Sequence, residues 1–164
     1  MSTELPSYAK TIETKKGKIV EINDNLSYGA FLEDLSWAWN SSVACFPETQ
    51  KEKFTGKHLL IITEISKYSI MEIELSPEDP NNDMSLYAYE TGIHSNNYVP
   101  NLNSCVNCEA DYKWDYDKKG KTQNHQRYVR LNAINNPYKV VIGICGANGL
   151  DKGGFNLKIS VKDR

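Results

Sequence analysis

Residues 58–75 read HLLIITEISKYSIMEIEL and contain two consecutive strand patterns. Residues 58–65 form an apolar, β-branched run, which is typical of a buried strand. Residues 69–75 alternate between apolar side chains and the acids Glu72 and Glu74, which predicts a strand with one face in the core and one in water. The stretch therefore predicts β structure rather than a helix.

Similar patterns occur along most of the chain, separated by residues that favour turns. No strand–helix–strand rhythm is present, so the sequence predicts an all-β fold, an antiparallel β-sandwich of about eight strands with at most one short helix; barrel closure is the alternative. We expect residues 1–16 to be a flexible N-terminal segment and residues 17–164 to form one domain. The further strand candidates are residues 17–22, 31–40 (which also fit a helix), 84–90, 126–131, 138–145 and 155–161.

Composition excludes two classes of partner. The chain has 164 residues and a net charge of −2, with 19 basic and 21 acidic residues interspersed. Nucleic acids and anionic membranes require a basic surface, so we expect no nucleic-acid partner. No apolar run approaches the ~18 residues of a membrane span, so we also expect no membrane span. The N-terminus shows no signal peptide, which fits either a cytosolic chain or a mature form without its leader.

The long polar segment between residues 91 and 124 contains SCVNCEADYKWDYD at 104–117. Cys105 and Cys108 can close a small disulfide ring that rigidifies this loop, by about 1–3 kcal/mol. Alternatively, they can join His125 and one of Cys45, His94 or Cys145 in a zinc site, or remain reduced. A redox role is disfavoured because acids, rather than a helix N-terminus, follow the cysteines.

Two further groups are candidate binding residues. Alternation places Tyr112, Trp114 and Tyr116 on one side of an extended loop, where they can stack on sugar rings, contact a protein or fold the loop down onto the sheet. Asp79, Asn81 and Asp83 lie in one turn and offer the oxygen ligands that calcium prefers, although such residues also simply form turns.

The C-terminal two-thirds resembles the bacterial pre-peptidase C-terminal (PPC) domain family. The resemblance is carried by DMSLYAY at 83–89, YKVVIG at 138–143 and GGFNLKIS at 153–160. It implies a jelly-roll-like β-sandwich in a secreted bacterial protein, which aids secretion, surface attachment or substrate binding; some members bind calcium or collagen. The chain also resembles a group of exported bacterial proteins that combine WAWNSSVACFP, here at 37–47, with an SCxxCEA loop, here at 104–110.

These observations together predict a non-catalytic, exported accessory or binding module, secreted or located at the cell surface or in the periplasm. Its expected partner is a protein or a polysaccharide, and its expected cofactor, if any, is calcium rather than zinc. Two alternatives remain: a zinc-stabilised intracellular interaction domain, and a small hydrolase that uses Cys45 with His58. No GxSxG, HExxH or phosphate-binding motif is present.

Overall fold

Two β-sheets pack face to face in the computed structural model, which describes residues 6–32, 48–95, 99, 105–111 and 126–164. Sheet A contains, in spatial order, β1 (Ala9–Thr11), β4 (Lys57–Ile65), β9 (Tyr138–Gly146), β6 (Met84–Thr91) and β7 (Asn107–Asp111), and β3 (Ala30–Phe31) also pairs with β4. Sheet B contains β2 (Ile19–Asn25), β10 (Gly154–Asp163), β5 (Ser69–Pro77) and β8 (Arg127–Ala133). Two 3-10 segments, Leu26–Tyr28 and Glu48–Phe54, complete the described elements.

The named strands pair in antiparallel fashion except β1, which pairs in parallel with β4. Residues 9–11 therefore belong to sheet A, within the segment predicted to be flexible. The β-sandwich prediction is confirmed, with ten strands in the described part of the chain instead of about eight. No helix in that part is long and apolar enough to cross a membrane.

The main core lies between the sheets and follows the predicted alternation. Met71, Ile73 and Leu75 of β5 are fully buried, whereas Glu74 between them is exposed. The inner side chains of β6, β9 and β10 complete the same cluster. Each buried side chain of this size contributes about 1.5–3 kcal/mol through removal from water, so these strands hold the two sheets together.

A second cluster covers the outer face of sheet A. The sequence predicts that β6 has Met84, Leu86 and Ala88 on one face and Tyr87 and Tyr89 on the other, and the structure buries both faces. Gly143 of the neighbouring β9 makes room for Tyr87, because a Cβ atom there would lie 1.9 Å from the ring. The members of this second cluster are Phe54, Leu60, Ile62, Tyr87, Tyr89, Val99, Val141 and Cys145.

The predicted loop at residues 91–124 is interrupted by a strand. β7 begins within the cysteine motif and pairs with β6 at the edge of sheet A. Sequence patterns missed it because Asn107–Asp111 is polar and only partly buried, so its alternation carries no apolar signal. Most of the ambiguous segment at residues 31–40 lies outside the described residues.

Candidate functional site

One face of sheet B is open to solvent, whereas the outer face of sheet A is buried under the second cluster. Outward side chains of β2, β10, β5 and β8 alternate with core residues and lie in register across the four strands. Within the described part of the chain, this is the extended sheet surface that a ligand can reach. We call it the open face, and its residues are Ile19, Glu21, Asn23, Glu72, Glu74, Ser76, Tyr128, Arg130, Asn156, Lys158 and Ser160.

Hydrogen bonds hold several open-face side chains in place. The Tyr128 hydroxyl donates to Glu72 Oε2 at 3.0 Å, and Lys162 pairs with the other carboxylate oxygen. Both hydrogen bonds lower the pKa of Glu72, and the bond from Lys162 has the larger effect. One strand away, the Asn156 amide donates to Asn23 Oδ1 at 3.1 Å. The face is therefore partly ordered before any ligand arrives, which lowers the entropy cost of binding.

Tyr128 is the exposed aromatic side chain on this face, at 42% exposure. Its backbone N–H donates to Asp111 Oδ2 of β7 at 2.8 Å. The preceding residue, Arg127, is buried and donates through Nε to the Met84 carbonyl at 2.8 Å and through Nη2 to Asp83 at 3.1 Å. All three acceptors belong to sheet A or to the turn before β6, so these hydrogen bonds fix the position of Tyr128 against the rest of the sandwich.

Two shallow depressions flank Glu74 on the open face. One, of about 390 Å³, is lined by Ser76, Asp111, Gln126 and Tyr128 together with Glu74. The other, of about 160 Å³, lies between Ile19, Glu72, Lys158 and Ser160. Carboxylate, amide, hydroxyl and ammonium groups therefore line a connected polar surface.

A larger groove of about 620 Å³ lies at the edge of sheet A, between residues 11–15 and Lys139. Thr14 Oγ1 in its wall bonds to Thr63 Oγ1 at 3.2 Å and to the Glu64 carbonyl at 2.8 Å, so this hydroxyl serves the fold. The described lining contains no aromatic side chain. We therefore place the candidate site on the open face.

His58 is the described half of the predicted cysteine–histidine pair, and it is fully buried. Nε2 donates to the Phe54 carbonyl at 2.8 Å, since a carbonyl can only accept, which leaves Nδ1 to accept from the Tyr87 hydroxyl at 2.9 Å. Burial lowers the pKa of His58 to about 4, against a smaller raising effect of the Phe54 bond. Both ring nitrogens are engaged in the core, and Cys45 lies outside the described residues.

Glu90 is a fully buried carboxyl group between the two sheets, where β6 runs beside β7 and β8. Neither oxygen has a hydrogen bond of good geometry within the described structure. Burial raises the pKa of Glu90 to about 7, and the charge of Glu109 acts in the same direction; Asn107 and the Asn132 backbone offset this only in part. Glu90 is therefore an unusual core acid that can take up a proton near neutral pH.

The predicted metal-binding residues have other roles or lie outside the described residues. Asp79 Oδ1 accepts the Asn81 N–H at 2.9 Å, and Asp83 pairs with Lys53 at 3.3 Å and with Arg127 at 3.1 Å. These bonds close a turn and anchor a strand, so the calcium site stays a prediction. Within the described ranges no group of three or more His, Cys, Asp or Glu side chains can hold a metal ion.

The disulfide predicted between Cys105 and Cys108 is not supported, because the structure contains no bond between their sulfur atoms. Instead, β-pairing with β6 orders this part of the motif. His125 and the predicted aromatic strip of Tyr112, Trp114 and Tyr116 lie outside the described residues, so their roles stay predictions. The open face was missed as a site, although the alternation of residues 69–75 and 126–131 already indicated its exposed side.

No family model and no curated protein sequence matches the chain. Among solved structures, it is similar to PliG of Aeromonas hydrophila, a periplasmic inhibitor of g-type lysozyme, at 8% identity and a TM-score of 0.43 over 94% of this chain and 97% of that one. It is also similar to the PPC domain of a Bacillus anthracis collagenase, at 12% identity and a TM-score of 0.45 over 98% and 100%. A third is CorA, a surface-associated copper-binding protein of Methylomicrobium album BG8, at 11% identity and a TM-score of 0.46 over 94% and 98%. Similarity at this level carries no conclusion about function.

Proposed function

We propose that the chain is an exported, non-catalytic binding module whose open face contacts a polysaccharide. The observation that carries this proposal is the hydrogen-bonded polar array on sheet B, with Tyr128 standing among carboxylates and amides. Sugars present hydroxyl groups that both donate and accept hydrogen bonds, and their ring faces stack on aromatic side chains. The array offers both kinds of contact on a rigid sheet.

A polysaccharide suits this surface better than a protein does. The centre of a protein interface is usually apolar and depleted in charge. Ile19, at the β2 edge, is the apolar side chain among the open-face residues, and Glu74 and Lys158 occupy neighbouring central positions. A hydrated polymer can retain water around these charges, so it avoids much of the desolvation cost that a protein partner would meet.

Burial of the reactive side chains supports a role without catalysis. His58 and Cys145 are both fully buried, Cys145 within the second cluster and His58 against the Tyr87 ring of that cluster. Burial raises the pKa of the Cys145 thiol well above its ordinary value, so it holds little reactive thiolate. Export is inferred from the family resemblance of the sequence; periplasmic or extracellular recovery of the protein from its native host would test that part.

Affinity electrophoresis in gels that contain soluble polysaccharides tests the binding proposal. We expect the wild type to be retarded by at least one polymer, and Tyr128→Ala to weaken the affinity by about two- to tenfold, since one aromatic stacking contact is worth about 0.5–1.5 kcal/mol. Tyr28→Ala is the matched control, because Tyr28 is 73% exposed and lies outside the open face. Free migration of the wild type in every gel, or equal retardation of the Tyr128 variant, would refute the proposal.

A further inference from the structure

The depression beside Tyr128 has two carboxylates in its wall, those of Glu74 and Asp111. Neither carboxylate forms a salt bridge with another residue of the described structure. Glu74 is exposed, and Asp111 uses one oxygen to accept the Tyr128 N–H at 2.8 Å. The depression therefore presents negative charge to a ligand.

The basic side chains closest to these two acids are turned to other groups. Arg127 also lines the depression, but it is only 1% exposed and its guanidinium group pairs with Asp83. Lys158 lies on the other side of Glu74, in the smaller depression of the open face. It is the cross-strand neighbour of both Glu21 and Glu74, so a single ammonium group faces two carboxylates.

The remaining bases near the open face are placed around Glu72. Lys162 is ion-paired with Glu72, and Arg130 is the cross-strand neighbour of Glu72 on β8. Neither base lines the depression beside Tyr128. Its carboxylates are therefore not offset by a cation from these positions.

Tyr128 places an aromatic ring beside the same carboxylates. It is 42% exposed and is the cross-strand neighbour of Glu74. Burial is the main cause that raises the pKa of Tyr128, and the charges of Glu72 and Glu74 add to it, which agrees with their proximity. The face of a tyrosine ring attracts a cation that lies within about 6 Å of its centre. Ring and carboxylates thus favour the same kind of ligand.

We infer that the open face selects a polysaccharide with free amino groups, a polymer of the glucosamine class, and this preference rests on the proposed polysaccharide function. A protonated sugar amine carries three hydrogen-bond donors and one positive charge. It can meet the carboxylates of Glu74 and Asp111 while the sugar ring stacks on Tyr128. N-acetylation removes the charge and leaves a single N–H donor, and an acidic sugar meets two like charges.

A metal ion is a poorer match for this depression than an amine. Hard cations such as calcium take six to eight oxygen ligands. Within the described ranges, no group of three or more His, Cys, Asp or Glu side chains can hold a metal ion. Two carboxylates beside an aromatic ring suit a compact organic cation instead.

Equilibrium binding of the full chain to glycol chitosan, which has free amines, and to its N-acetylated product tests this preference. The two soluble polymers share one backbone, and the measurement is made at a mildly acidic pH at which the amines are protonated. We expect the wild type to bind the amine polymer at least about fivefold more tightly. Glu74→Gln and Asp111→Asn should each reduce this ratio about two- to fivefold, because the amides keep the shape and lose the charge.

Two controls separate local contacts from the general attraction between an acidic protein and a cationic polymer. Glu64→Gln and Asp151→Asn change the net charge equally at exposed positions outside the open face, so both should keep the wild-type ratio. Added salt should reduce the ratio by screening the ionic contacts. Circular dichroism of each variant establishes that it is folded.

Equal affinity of the wild type for the two polymers would overturn the preference for amines. An equal effect of the control and depression variants would overturn it as well, since attraction by net charge would then explain the ratio. If Tyr128→Ala weakens binding to both polymers but the wild type shows no preference between them, polysaccharide binding stands and the selection of amines is wrong. If the wild type binds neither of these polymers nor any neutral one, the polysaccharide proposal fails and the preference fails with it.

Discussion

Replacing Glu90 with Gln isolates the cost of placing an acid between the two sheets. The amide has nearly the shape of the protonated acid but cannot ionise. The pKa of Glu90 rises from an ordinary value of 4.5 to about 7, mainly through burial. Each pKa unit corresponds to about 1.4 kcal/mol, so the full shift corresponds to about 3 kcal/mol. Exposed neighbours admit water near the carboxyl group, and we therefore expect the ionisation of Glu90 to lower the free energy of unfolding by about 1–3 kcal/mol.

The sign of the effect follows from proton binding. Between about pH 4.5 and 7, the folded chain holds a proton on Glu90 that the unfolded chain has released. The free energy of unfolding that Glu90 contributes therefore falls as pH rises through this window, and the loss is complete above about pH 7. At about pH 4 both states are protonated, and wild type and variant should be equally stable. At about pH 8 the Gln variant should be the more stable by about 1–3 kcal/mol.

Urea denaturation followed by tryptophan fluorescence measures this difference at several pH values. Subtracting the free energy of unfolding of the wild type from that of the variant cancels the contributions of the other titrating groups, including His58. Glu74→Gln is the matched control, because Glu74 is an exposed acid on sheet B. A constant difference between the Glu90 variant and the wild type across the pH range, or a less stable variant at high pH, would show that Glu90 is not held as a buried acid.

Two further predictions concern the second cluster. Gly143→Ala places a Cβ atom 1.9 Å from the Tyr87 ring, so we expect the free energy of unfolding to fall by about 1–3 kcal/mol and the melting temperature to fall with it. Gly92→Ala is the control, because its Cβ atom meets nothing within 4 Å and should change the melting temperature little. Equal melting temperatures for the two variants would contradict this packing. The pKa of His58 falls from 6.5 to about 4 on burial, so the unfolded chain binds the extra proton and the wild type loses up to about 3 kcal/mol as pH falls through this window. His58→Gln cannot take up that proton, so its free energy of unfolding should approach that of the wild type between pH 7 and 4; an unchanged gap would argue against a buried neutral imidazole.

Alternating strands were predictable because their two faces lie in different environments. Residues 69–75 could be assigned without a structure, since Glu72 and Glu74 must avoid the core that the apolar positions enter. β6 was harder to interpret, because tyrosine suits both an exposed and a buried face. The burial of Tyr87 and Tyr89 depends on segments remote in sequence, including Phe54 and Val99, which no local pattern indicates.

The candidate sites depended even more on tertiary structure. The open face combines β2 and β10, which are more than a hundred residues apart in sequence, and only the register brings Asn23 beside Asn156. The cysteine motif was visible from its spacing, but the strand that begins within it was not. The strand is held by backbone pairing with β6, which carries no side-chain signature.

The hydrogen bond from the Tyr128 backbone to Asp111 has a consequence for solubility. Among the described strands β8 is the outer one of sheet B, and an uncovered N–H there could template pairing with another copy of the chain. The Asp111 carboxylate of β7 accepts the hydrogen bond from this Tyr128 N–H and places a negative charge where an incoming strand would pair. At the opposite border, Asp24 of β2 is ion-paired with Lys10. Both borders of sheet B therefore carry charged side chains that oppose amyloid-like growth.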